Sequence, residues 1–205
     1  METPSPSKHL PADERRAATV EAVVALAAQT NPSDISTTAI AKHMGVTQGA
    51  LFKHFPTKES IIEAVMGWVA DRLLARIDAA TRKAATPLAA LEAVFMTHVE
   101  FVTIHPGVPR MLFGELQRAE MNGPKRLVQA LIARYSERVR ALLAQGKAAG
   151  EIRANMDEGS AALLFVGMVQ GLVMQSLLAG DVRQMSDQAA GVFALFRDAL
   201  TGAQA

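Results

Sequence analysis

Residues 36–58, STTAIAKHMGVTQGALFKHFPTK, constrain the fold more than any other stretch of the chain. They read as two short helices joined by a tight turn. Ile40, Met44, Val46 and Leu51 are the apolar contacts, small Ala41 sits where the helices must nearly touch, and Gly45 forms the corner. Glycine accepts positive φ without a steric penalty, so the chain can turn sharply there. Ser36 is placed to cap the first helix through its hydroxyl, and Thr47 the second. Between positions 34 and 59 the chain has three Lys, two His and no acid, so the partner of this surface is expected to be anionic. This is the outline of a helix-turn-helix that enters a DNA major groove.

The bihelical spacing alone arises by chance, but here it runs into aromatic-x-His-Phe-Pro-x-Lys and then a further amphipathic helix. The run from Ile40-Ala41 through Gly45-Val46-Thr47 to Leu51-Phe52-Lys53-His54-Phe55-Pro56-Thr57-Lys58 resembles the DNA-binding segment of the TetR family of bacterial transcriptional regulators. The resemblance covers residues 15–70 by motif, and the rest by helix count and length. It implies an all-α homodimer that binds an operator and leaves it when a small molecule occupies the C-terminal domain. Two positions depart from the family pattern. Phe52 stands where most members have Tyr, removing a hydroxyl contact to phosphate, and Asn31-Pro32 stands where Gly commonly follows the first helix. Asn tolerates the left-handed conformation, so the same turn is expected.

Base readout is expected from the first turn of the second helix, at Thr47, Gln48, Gly49 and Ala50. The Gln48 amide can pair with adenine in a bidentate fashion, Gly49 permits close approach, and Ala50 can touch a thymine methyl. Thr37, Thr38, Lys53, His54 and Lys58, with Ser36 and Phe52 beside them, belong to the backbone-positioning set. His54 has a second reading, as a cover for Phe55. Lys42, on the first helix, reads as a solvated charge, and Leu51 and Phe55 as packing.

The architecture follows from periodicity. Apolar residues at Val20, Val23, Val24 and Ala27 mark a first helix from Ala12 to about Gln29. Thr57 then caps a helix to about Ala80 with Ile62, Val65, Met66, Val69, Leu73 and Ile77 on one face. Further helices are expected from Pro87 to Ile104, Pro109 to Glu120, Pro124 to Ala149, after Asp157, and from Ser186 to Leu200. The fold expected is therefore all-α with about nine helices. A mobile tail (1–11) precedes a three-helix DNA-binding domain (12–57), a connecting helix (58–80) and an effector-binding and dimerisation domain (81–205).

Residues 161–180 carry no charge for about the length of a bilayer, with Gly167 and Gly171 spaced as GxxxG. Gln170, Gln175 and Ser176, and the lack of basic flanks, point instead to a helix buried on several sides. Packed against its copy together with the last helix (Val192, Phe193, Phe196), it would form a four-helix dimer interface.

Candidates for an effector site are Met66, Trp68, Phe95, His98, Met111, Glu115, Met168 and Met174. His98 is either a hydrogen-bonded core imidazole or a ligand-facing group, and Glu115 either a surface acid or a buried one. Trp68 fits a pocket wall or a domain interface, and the Met residues fit a plastic pocket or an ordinary core. With no Cys, thiolate chemistry is excluded, and no nucleophile set, phosphate loop or metal cluster is legible, so neither an enzyme nor a cofactor or metal is expected. The N-terminus has no apolar signal segment, so a cytoplasmic protein is expected. The function expected is a repressor that binds a palindromic operator in double-stranded DNA as a homodimer and is released by a mostly apolar small-molecule effector of unknown identity, with no membrane partner. The alternative is an effector-independent activator or architectural DNA binder.

Overall fold

The computed structural model describes residues 11–202, so the expected tail lies outside the described residues except for Pro11. Among them, nine α-helices run in the order α1 (Ala12–Gln29), α2 (Thr37–His43), α3 (Gln48–Phe52), α4 (Lys58–Lys83), α5 (Pro87–Ile104), α6 (Gly107–Leu116), α7 (Gly123–Ala148), α8 (Glu158–Ala179) and α9 (Arg183–Thr201), and no strand occurs.

Helix starts follow local chemistry. The side chains of Ser36, Thr47, Thr57, Thr86, Asn122 and Asp157 each accept the backbone N–H three residues on. At α4 the cap is reciprocal, with Ser60 Oγ accepting the Thr57 N–H at 3.3 Å.

Several expected boundaries are corrected. α4 continues to Lys83, because no breaker intervenes and Arg82 and Lys83 suit the negative end of the helix. α6 starts at Gly107, since Pro109 falls in the first turn, where a missing N–H costs nothing, and it stops at Leu116. α9 starts three residues early, at Arg183. Asn31 is extended (φ −60°, ψ 132°) because it precedes Pro32, and Pro32–Asp34 makes a 3₁₀ turn in place of a left-handed corner. Gly45 does take positive φ, at 66°.

The core runs without a break from α1 to α9. Val20, Val23, Val24 and Ala27 of α1 are buried with Ile40, Leu51 and Phe55 beneath the helix-turn-helix, and α1 also packs on α4 and α6. α4 then runs into a bundle with α5, α7, α8 and α9. At its centre Phe95 meets Phe165 (5.6 Å between ring centroids) and Phe193 (5.5 Å), and Phe165 meets Phe196 (5.6 Å).

α5 and α8 are each long and apolar enough to cross a membrane. In the fold, however, α5 packs against α4, α7, α8 and α9, and α8 against α5, α7 and α9. Only one side of α8 is sealed. Phe165, Val169, Leu172 and Val173 point inward, while Leu163 (75 % exposed) and Leu178 (75 %) point outward.

Candidate nucleic-acid interface and effector cavity

The acid-free segment folds so that its polar residues share one face. Thr38, Thr47, Gln48, Gly49, Lys53 and Lys58 are exposed, as are Ser36 and Phe52, while Leu51 and Phe55 are buried beneath them. Thr37, Ala50 and His54 are half-buried. Gln48 Nε2 donates to Thr37 Oγ1 at 2.6 Å, which holds the amide at the lip of α3 with its carbonyl oxygen uncommitted. His54 lies at the base of this face, and its backbone oxygen accepts from Arg16 Nη1 at 2.7 Å. The Arg16 guanidinium lies 4.5 Å from the Phe55 ring centroid. Arg16 thus joins the basic surface, although the motif reading passed over it. The available signal was its place on α1 one turn before Val20, in line with the stripe that covers the helix-turn-helix.

The nearest downstream acid is engaged by the bundle. Glu59, in the first turn of α4, accepts the N–H of Gly123 at the start of α7 at 3.2 Å, and the exposed Lys58 beside it borders the same cleft.

Inside the bundle lies a cavity of about 100 Å³. Its wall comprises Val69 and Leu73 of α4, His98, Phe101 and Val102 of α5, Val108, Pro109, Leu112, Phe113 and Leu116 of α6, Leu131, Ile132 and Tyr135 of α7, and Val166, Val169, Gln170 and Val173 of α8. His98 Nδ1 is hydrogen-bonded to Tyr135 Oη at 3.1 Å. The imidazole lines this cavity and keeps only a minor part of its surface accessible. Burial therefore pushes its pKa down to about 4 and pushes the Tyr135 phenol up.

Of the side chains expected at an effector site, His98 alone lines this wall; the others lie elsewhere. Phe95 is held in the aromatic centre, Met66 is buried on the core side of α4, and Met168 is half-buried and packed against the core. Trp68 stacks edge-on with His105 (5.1 Å) in a cleft formed with Glu21, Val24 and Ala28 of α1, a place between the first helix and the bundle. Met111 and Glu115 instead line a separate cleft of about 340 Å³ with Lys58, Glu59 and Asn122. There Glu115 Oε2 accepts from Asn122 Nδ2 at 3.2 Å and pairs with Arg118 Nε at 2.9 Å. Met174 is 47 % exposed on the outer face of α8.

That outer face carries Leu163, Leu164, Gly167, Gly171, Met174 and Leu178, and Leu195 (74 % exposed) stands on α9. Gly167 and Gly171 are on the free surface expected of them. Phe193 and Phe196 are not, because the apolar stripe of α9 faces α5 and α8 of its own chain; Val192 is half-buried.

Comparison with known proteins places both halves of the chain. Residues 19–65 match the family described as bacterial regulatory proteins, tetR family, and residues 120–192 match the tetracyclin repressor-like C-terminal domain. A nucleoid occlusion factor from Idiomarina loihiensis is 28 % identical over 167 residues, covering 80 % of this chain and 85 % of the relative. A protein of the same description from Actinobacillus pleuropneumoniae is 36 % identical over 80 residues, 39 % of this chain and 40 % of its own length. Among solved structures, the regulator FadR from Bacillus subtilis, in complex with stearoyl-CoA, shares the fold with a TM-score of 0.79 at 18 % identity, covering 90 % of this chain and 98 % of that one.

Proposed function

Because the chain belongs to the TetR family, it is a DNA-binding transcriptional regulator and not an enzyme, and from that premise we propose that it is a homodimeric, ligand-released repressor. Two copies joined through α8 and α9 present their α3 helices to successive major grooves of a near-palindromic operator in the cytoplasm. Gln48 reads a base, Thr47, Gly49 and Ala50 lie against neighbouring base edges, and Ser36, Thr37, Thr38, Lys53, His54, Lys58 and Arg16 hold phosphates. A small molecule in the cavity favours a conformation in which the two reading helices no longer match the groove spacing. It shifts the population only by its differential affinity for the two states.

The observation that carries this reading is the span of α4. Its first turn carries Lys58, the exposed residue that closes the acid-free segment, and Val69 and Leu73 of the same helix wall the cavity. A gel-shift titration with the DNA upstream of the chain's own gene tests it. The expected result is a shift that requires a palindrome and weakens steeply with salt. Loss of sequence preference at low salt would overturn the proposal.

A second reading is supported by the relatives described as nucleoid occlusion factors. The protein would then bind DNA in an architectural role without an effector, with operator affinity indifferent to every molecule that enters the cavity.

A further inference from the structure

We infer that the cavity takes a ligand that is uncharged over the part it encloses and carries one hydrogen-bond acceptor seated at the His98–Tyr135 pair. The inference rests on reading the cavity as the effector site.

Of the side chains on its wall, only His98, Tyr135 and Gln170 are polar, and none is Asp, Glu, Lys or Arg. An enclosed carboxylate or phosphate would therefore lose its water without gaining a cation, which is strongly unfavourable. The nearby start of α6 does not compensate: Pro109 has no N–H, and Val108 gives its own to the His105 carbonyl at 3.0 Å. An ammonium would equally lack a carboxylate.

Proton counting at the polar pair fixes the complement. Neutral His98 and neutral Tyr135 hold one titratable proton each, and the 3.1 Å bond between Nδ1 and Oη uses one of them. If Tyr135 donates, the imidazole keeps a free Nε2–H; if Nδ1–H donates, the phenol keeps a free O–H. Either tautomer leaves one donor. No buried side-chain nitrogen or oxygen lacks a partner among the described residues, so Nε2 of His98, which has none, keeps accessible surface, and both side chains of the pair line the cavity. The partner of the spare donor is a carbonyl, ether or hydroxyl oxygen at one end of an otherwise apolar molecule. Protonation of the imidazole would create an anion site, but burial keeps His98 neutral until about pH 4.

The test uses the full-length dimer and matched probes: n-hexanol, n-octanol and n-decanol against the carboxylates of the same chain lengths. Binding is followed by titration calorimetry and by thermal unfolding at about pH 8, where the carboxylic acids are ionised. At least one alcohol should raise Tm, by about 5 °C at about a hundred times its Kd, while its carboxylate leaves Tm unchanged. Leu112→Trp, which fills the cavity from a half-buried position, should abolish the shift. Near pH 5, where part of the acid is neutral, the carboxylate series should gain affinity. Equal or tighter binding of a carboxylate at pH 8, blocked by Leu112→Trp, would overturn the neutral-ligand inference and leave the effector-site reading standing. Binding of neither series, or binding that Leu112→Trp does not affect, would overturn both.

Discussion

At the residue scale, the division between reading and positioning is the most direct test. Gln48→Ala should relax discrimination at one base position by about 1–3 kcal/mol, measured by competition among single-substituted operators. Lys58→Ala should weaken all sequences alike and reduce the slope of log K against log salt by about 1. The Gln48–Thr37 hydrogen bond adds a further expectation. Thr37→Val should lower affinity most for the cognate base without changing the salt slope, because it frees the Gln48 amide and removes no charge from the protein. His98 makes a pH prediction with a definite sign. Its folded pKa lies below the unfolded value of 6.5, so the unfolded chain takes up a proton that the native chain refuses. Stability attributable to His98 is complete above about 6.5 and declines as pH falls toward about 4, by up to about 3 kcal/mol. Urea unfolding across that range should show the decline, and His98→Gln should remove that contribution. That an imidazole at position 98 faces inward was legible from the stripe Leu91, Val94, Phe95, His98 and Val102. That Tyr135, from a helix far along the chain, completes a polar pair with it was not, because a side chain's partner across a bundle has no signature in local spacing.

At the element scale, the helices were legible because their punctuation is chemical. Six capping side chains and the Pro and Gly residues mark their ends, and the long helices have the 3.6-residue stripe. Boundaries failed where a proline sits inside a first turn, as Pro109 does, or where no breaker exists, as beyond Ala80. The wall of the cavity was illegible for a different reason: several helices have apolar faces, and periodicity does not say which face borders a void and which borders another helix. Two glycines at element junctions were likewise silent. A Cβ on Gly107 would stand 2.5 Å from the backbone of Ala27 and Ala28, so α6 packs on α1 with no room for a side chain. Gly123 would collide only with the carboxylate arm of Glu63, which can swing aside. Gly107→Ala should therefore cost about 1–3 kcal/mol in urea unfolding, and Gly123→Ala distinctly less. Because the first of these junctions joins the DNA-binding helices to the bundle, Gly107→Ala should also alter operator affinity at fixed salt. Gly114→Ala, at a position with nothing nearby, should not.

At the scale of the whole molecule, a lone protomer has an apolar band along α8, with Leu163, Gly167, Gly171, Met174 and Leu178 open to water and Leu195 beside it on α9. The absence of charge in residues 161–180 predicts burial on several sides, whereas within the protomer one side alone is covered. It did not show that the phenylalanines of α9 are spent within the protomer, leaving leucine and glycine on the outer surface. Leu178→Glu should convert the protein to a monomer in light scattering and weaken binding to a two-site operator far more than to a half-site. In the homodimer proposed above, the same band has a consequence for dosage. Where protomers are scarcer than their own pairing constant, occupancy of a two-fold site climbs as the square of the number made. Control would then set in sharply above a threshold copy number, and that threshold is written in the leucines of α8.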